Sequence, residues 1–179
     1  MEYEGLDLLL EACSILKEKH GDIFRLLLVG DGDTMQLLRR TARFLQLEDQ
    51  VVFTGRIPHD DVQRYYSLID IAPLPRKGLR VCELVSPLKP FEAMGAGKVL
   101  VTSSVQALAE IVQDGVTGMV FEKDNSEDLA AKLETAILNE EIRKNIGENA
   151  NKWVIENHSW AVISQRVTSL YDKIMEAKQ

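Results

Sequence analysis

At 179 residues, with 45% hydrophobic and 27% charged residues, the chain suits one ordinary globular domain and is too apolar to remain disordered. A net charge of −7 argues against a nucleic-acid backbone as partner, so any anionic ligand has to be held locally by a few cations or by backbone amides. Cys13 and Cys82 lie far apart, with no CxxC and no nearby histidine pair, which excludes a zinc site or a disulfide framework and fits reduced thiols in the cytoplasm.

No apolar run reaches the ~18 residues of a membrane span, and the acidic start at Glu2 and Glu4 lacks the basic region of a secretory leader. The first element is helical. Leu8, Leu9, Leu10, Ala12, Ile15 and Leu16 share one face, and His20-Gly21-Asp22 stops the run. Residues 24–29, apolar apart from Arg25, predict a strand buried on both faces. Gly30-Asp31-Gly32-Asp33 is a turn, with Asp33 or Thr34 placed to cap a helix running to about Leu45. Strand 51–53, loop 54–58, helix 59–68 and strand 70–75 follow. Residues 76–85 read as a long loop with Arg76 and Lys77 in solvent. Residues 87–94 read as a helix with Pro87 in its first turn. Then come strand 98–102, helix 107–113 and strand 118–121. Three helices close the chain, at about 126–138, 140–157 and 160–177.

Strands alternating with helices predict parallel βαβ units and a doubly wound α/β sheet of five strands, in one domain over residues 1–179. Such a domain usually opens with a strand, so the expectation is that a first strand is missing. Trp153, Trp160 and Tyr171 are expected to pack in the core.

Ligands of open parallel sheets bind beyond the carboxyl ends of the strands. Four loops lie there, at 30–33, 54–58, 73–86 and 102–107. Gly30-Asp31-Gly32 is not a dinucleotide fingerprint, because Met35 takes the position of the third glycine. Its alternative reading is a tight turn without ligand contact. Residues 86–94 carry more. Unpaired amides at a helix start suit a diphosphate, Lys89 in the first turn adds a charge, and Glu92 one turn later can accept two hydrogen bonds from a ribose diol. From residue types alone, a capping Glu92 and a solvated Lys89 remain the alternative.

Residues 92–103 (EAMGAGKVLVTS) and 110–121 (EIVQDGVTGMVF) resemble signature stretches of the large retaining GT-B glycosyltransferase family. So do 28–32 (LVGDG), 52–57 (VFTGRI) and 5–12 (GLDLLLEA), in the family's order; the wording of 86–92 (SPLKPFE) resembles a bacterial exopolysaccharide branch. The resemblance implies the Rossmann-like C-terminal half of a two-domain GT-B enzyme that works on surface polysaccharide or glycoconjugates. The donor is a UDP- or GDP-sugar, bound without metal or other cofactor. The acceptor, a sugar or lipid-linked glycan, belongs to an absent N-terminal domain, so the piece alone is inactive. The whole enzyme is cytoplasmic, with peripheral association at the inner membrane face.

Carried over by position, Glu92 is similar to the glutamate on the donor ribose. Pro87, Leu88 and Lys89 match the segment whose amides meet the diphosphate and sugar. Arg56 and Ile57 match the loop whose main chain reads the base, and Gly30 and Gly32 the glycines that let the donor approach. Two departures stand out. The family's partner glutamate falls on Leu84 here, leaving the adjacent Glu83 to take the sugar contact through a shifted loop. Glu4 stands where the family often has a diphosphate-binding lysine, which passes the cationic duty to Lys89, with Arg56 and the Arg76-Lys77 pair as alternatives. The implied catalysis is stabilisation of the leaving diphosphate, by Lys89 and a helix start. Asp31-Gly32-Asp33 has divalent-site spacing but no supporting ligands, and His59 and His158 are read as surface or packing residues. The last helix is expected to expose an apolar patch where it would meet the absent domain. Weighed against this are a sugar-nucleotide-binding module without catalysis, a receiver-like signalling domain, for which glycines stand at the wrong strand ends, and a sugar-nucleotide epimerase.

Overall fold

The structure is a computed structural model that describes residues 2–176. A 3₁₀ turn over Glu2–Glu4 leads into α1 (Leu6–His20), which buries Leu9, Leu10, Ala12, Cys13 and Leu16. β1 (Leu26–Val29), α2 (Met35–Phe44) and β2 (Val51–Gly55) follow. A 3₁₀ turn at His59–Asp61 opens α3 (Val62–Leu68), then come β3 (Ile71–Leu74), α4 (Arg80–Leu84) and α5 (Lys89–Gly95). β4 (Val99–Ser103), α6 (Gln106–Ala109) and β5 (Met119–Phe121) complete the strands, and α7 (Ser126–Leu138), α8 (Glu140–His158) and α9 (Trp160–Glu176) close the described chain.

All pairings between these strands are parallel, as the alternation of strand and helix requires. β4 shows why both faces are covered. All five of its residues are buried. Val99 and Val101 point into one apolar cluster with α1, α2 and α7, whereas Leu100 points into a second with Ala93, Met94, Ala150 and Val154 of α5 and α8. Successive side chains of a strand alternate sides, so a strand with helices on both faces must be apolar throughout. The five strands do not form one ladder. β1 pairs with β2, while β3, β4 and β5 form a separate sheet in that order.

Several local expectations change. Residues 80–84 are helical rather than loop, with Cys82 fully buried beside Val105 and Leu108; one helical turn satisfies backbone groups that burial of this segment would otherwise leave unpaired. Pro87 lies before α5, and Pro90 is the proline in its first turn. Helix 107–113 shrinks to Gln106–Ala109. Neither Asp33 nor Thr34 caps α2 with a side chain, because Thr34 at the N-cap is itself in right-handed helical geometry. The side-chain caps fall elsewhere: Asn125 accepts from the Asp128 amide at 2.9 Å and Asn139 from that of Ile142 at 3.0 Å. Trp153 packs against the second cluster, as expected, but Trp160 and Tyr171 of α9 are exposed together with Leu170 and Met175. α9 buries none of its side chains among the described residues, and these apolar residues are left exposed along it. Ala177, the expected last helical residue, lies outside the described residues. No described helix is long and apolar enough to cross a membrane.

Candidate functional site

The site is assembled at the carboxyl ends of β1 and β3. After β1 the chain turns at Gly30, whose φ of 129° lies outside the range of ordinary side chains. The Gly30 amide donates to the Gly55 carbonyl at 3.0 Å, which ties the turn to the end of β2. Asp31 accepts from the Gly32 amide at 2.7 Å, so this carboxylate is used within its own turn. Beside the turn stands α5. Its seven residues give only a small macrodipole, but its first turn carries both Lys89 and Glu92, three residues apart on the same face.

Gly30, Gly32, Lys89 and Glu92 line one cavity of about 1010 Å³, together with Glu4 and Tyr66. The Tyr66 hydroxyl donates to Glu92 Oε2 at 3.4 Å. Burial, then the Glu92 charge and this hydrogen bond, push the Tyr66 hydroxyl up to about 12. Tyr66 therefore stays a donor to Glu92 at neutral pH. Glu4 reaches the same place from the amino-terminal turn. Its carboxylate pairs with Lys89 Nζ at 3.0 Å and lies 3.8 Å from the Arg76 guanidinium.

Arg76 is not in solvent. It is 8% exposed, donates to the Val85 carbonyl at 2.9 Å and lies over the Tyr3 ring. Lys77 is also engaged, donating to Asp7 at 2.6 Å. Both expectations of a solvated loop fail for one reason: Glu4 and Asp7 supply counter-charges, and Tyr3 a ring face and a carbonyl, from far away in sequence. A buried guanidinium needs such partners.

Other expected residues sit apart from the cavity wall. Arg56 is exposed on the loop after β2, next to a partly buried Ile57. Pro87 is partly buried ahead of α5, and Leu88, the N-cap residue of α5, is 71% exposed. Glu83 turns away toward α6. It accepts from the Gln106 amide at 2.7 Å and from Lys123. These bonds, the amide first, hold its carboxyl below the usual carboxylate value. His158 packs between Phe91 and Trp153, with ring centroids 4.8 and 4.7 Å away. Tyr66 and the use of Arg76 escape sequence reasoning. A tyrosine on a predicted surface helix carries no mark of the glutamate it will meet.

Parallel strands on both sides of a cleft, with a glycine turn after β1 and a lysine–glutamate helix beside it, define an open α/β domain of Rossmann-like architecture. Residues 1–172 match the model of the glycosyl transferases group 1, and the chain belongs to that family. It is 29% identical over 178 residues to an uncharacterized glycosyltransferase of Methanocaldococcus jannaschii, covering 97% of this chain and 43% of that protein. It is 30% identical over 156 residues to the N-acetyl-alpha-D-glucosaminyl L-malate synthase of Bacillus anthracis, covering 86% and 39%. The chain thus spans less than half the length of these relatives. The fold is that of the C-terminal domain of GT-B glycosyltransferases. The C-terminal domain of a group 1 glycosyl transferase from Francisella tularensis superposes with a TM-score of 0.76 at 22% identity, over 89% of this chain and 82% of that one. An Anabaena protein crystallised with UDP-glucose superposes at 0.83 and 21%, over 97% and 46%.

Proposed function

We propose that this domain binds the nucleotide-diphosphate sugar of a retaining, metal-independent glycosyltransferase that builds surface polysaccharide or a related glycoconjugate. The observation that carries the proposal is the placement of Lys89 and Glu92 on one face of α5, lining the same cavity as the Gly30 turn. Glu92, oriented by Tyr66, accepts the two ribose hydroxyls. Lys89 and the backbone amides of Leu88 and Lys89, entered through Pro87, face the diphosphate, and the main chain at Arg56 and Ile57 meets a uracil or guanine base. In the transfer step the bond from the anomeric carbon to the diphosphate oxygen breaks. A bond from an acceptor hydroxyl forms on the same face of the sugar, and the hydroxyl proton passes to an oxygen of the leaving diphosphate. Negative charge grows on the leaving diphosphate, where Lys89 stabilises it.

Glu4 sets a condition on this step. Its carboxylate already neutralises Lys89, so the diphosphate must displace it. Glu83 reaches the donor sugar only by giving up the Gln106 amide and Lys123. The acceptor binds a further domain, at the inner face of the membrane, and the described domain alone transfers nothing. A binding module without catalysis is the second reading, favoured by the same Glu4 pairing, which leaves Lys89 compensated at rest.

Calorimetric titration with UDP, GDP and ADP in the presence of a metal chelator tests the proposal. One of UDP and GDP is expected to bind, and Glu92→Ala to weaken it on the order of 10- to 100-fold, the value of hydrogen bonds to a charged group. Glu4→Gln is expected to tighten it. Equal affinity in wild type and Glu92→Ala would overturn the assignment of the ribose site.

A further inference from the structure

The diphosphate end of the cavity is short of positive charge. Lys89 lines it, but pairs with Glu4 at 3.0 Å. Arg76 stands behind Glu4, 3.8 Å from its carboxylate, buried and donating to the Val85 carbonyl. Lys77 is held by Asp7. Asp31 lines the cavity from the Gly30 turn, and Glu92 lines it from α5. The other cations of the lining belong to its far end: Arg25 precedes β1, and Arg143 donates to the Ala136 and Ile137 carbonyls at the end of α7. Phosphate groups are usually met by an excess of cations and oriented amides. Here Glu4, Asp31 and Glu92 face Lys89 and Arg76, and Glu4 stands between the two cations.

Glu4 sits on backbone that is fixed on both sides. The Tyr3 carbonyl accepts from the Lys77 amide at 3.1 Å. Gly5, with a φ of 70°, is pressed so closely on Pro75 that an added Cβ would fall 1.8 Å from its carbonyl oxygen. The main chain therefore holds its place when a ligand arrives, and only the side chain moves. Its two methylenes let the carboxylate swing from Lys89 to Arg76, which already lies within reach. A diphosphate that takes Lys89 leaves Glu4 against Arg76, still beside the phosphate it has made room for.

We infer that Glu4 is a specificity-determining residue that favours the intact sugar nucleotide over the free nucleoside diphosphate, an inference that rests on the donor-site reading above. The two ligands differ by one charge at the phosphate that Glu4 faces. In the sugar nucleotide each phosphate carries a single negative charge, because the sugar esterifies the terminal one. In the free nucleotide the terminal phosphate carries two at neutral pH, since the second ionisation of a phosphate lies near about 6. Lys89 compensates one of these charges, and Arg76 is taken by Glu4 itself. Among the described residues that line this end of the cavity, no cation is left for the second, which meets the Glu4 carboxylate as a like charge. The same repulsion acts when transfer ends. The proton that the acceptor gives to the leaving diphosphate is lost to water, the terminal phosphate gains its second charge, and Glu4 returns to Lys89 as the nucleotide departs. Glu4 thereby weakens the hold on the product more than the hold on the donor, at a stage that limits many enzymes.

Calorimetric titration of the 179-residue chain with UDP-glucose against UDP, and with GDP-mannose against GDP, tests this in wild type, Glu4→Gln and Glu4→Lys. The quantity read is the ratio of the two affinities and its change on substitution, so that contacts to the sugar cancel. Glu4→Gln keeps the shape of the side chain and removes its charge. It is expected to tighten both ligands, and the free diphosphate on the order of 10-fold more than its sugar ester, the effect of one like charge nearby in a partly screened site. Glu4→Lys is expected to move the ratio further in the same direction. Equal tightening of the two ligands in both variants would mean that Glu4 only competes for Lys89; it would overturn the inference and leave the donor-site reading standing. A larger gain for the sugar ester would overturn it as well. Failure of all four ligands to bind any of the three proteins would overturn the donor-site reading and the inference together.

Discussion

The two sheets of this domain are built from similar residues and end up in different circumstances. β4 is buried at all five positions, between β3 and β5 and under helices on both faces. β2 is buried only at Val51, and Val52 is 51% exposed. A two-stranded ladder is marginal by itself and depends on whatever packs against it; β1 and β2 lean on α1 and α2 through Leu26, Leu28, Leu38 and Ala42. The comparison teaches that apolar content alone does not make a strand central. Neighbours on both edges and both faces do.

The largest effect that sharpens this contrast is expected from Leu100→Ala in β4. Leu100 is fully buried in the second cluster, and its loss should cost about 2–5 kcal/mol by chemical denaturation. A cost below about 1 kcal/mol would show that the three-stranded sheet is not the stable half. Gly118→Ala, just before β5, comes next. The added methyl would lie 2.5 Å from Val112 Cγ1 and 3.2 Å from the Leu100 carbonyl oxygen, and overpacking of this kind costs about 1–3 kcal/mol. Val52→Ala in the two-stranded sheet should stay within about 0.5 kcal/mol, as exposed substitutions do; a larger loss would break the comparison from the other side.

The smallest effect is one of pH. In the folded state the Gln106 amide and Lys123 hold the Glu83 carboxyl below its ordinary value of 4.5. Stabilisation from this group is full above that value and is lost as pH falls through the folded pKa. Thermal melts between pH 6 and 3 should therefore fall less steeply for Glu83→Gln than for wild type. Parallel curves would mean that the tether between α4 and α6 contributes nothing.

Much of the fold was legible because periodicity reports burial. Residues 26–29 and 99–101 are apolar without interruption, and both became strands, although only β4 is covered throughout and Val29 at the end of β1 is 43% exposed. The short helix Arg80–Leu84 was not legible. Its five residues are too few to show a period, and it forms because Cys82 is drawn under Val105 and Leu108. Trp160 and Tyr171 were misjudged because aromatic residues at helical spacing look alike whether a helix lies in the core or on the surface. In the candidate site, Gly30 and Lys89 could be read as a glycine turn after a strand and a cation at a helix start. Glu92 with Tyr66 could not, because the hydroxyl arrives from a different helix.

By itself the sequence determined the alternation of strands and helices, the parallel sense of the pairing, and the end of the sheet where the site lies. These follow from local preferences and from chain connectivity, both written along the chain. Only the tertiary structure decided that Glu4 neutralises Lys89, that Arg76 is buried, that Glu83 is tied to α6, and that the sheet parts between β1 and β3. Each of these joins residues distant in sequence, and such partners are selected by packing and charge in three dimensions, for which a linear pattern keeps no record.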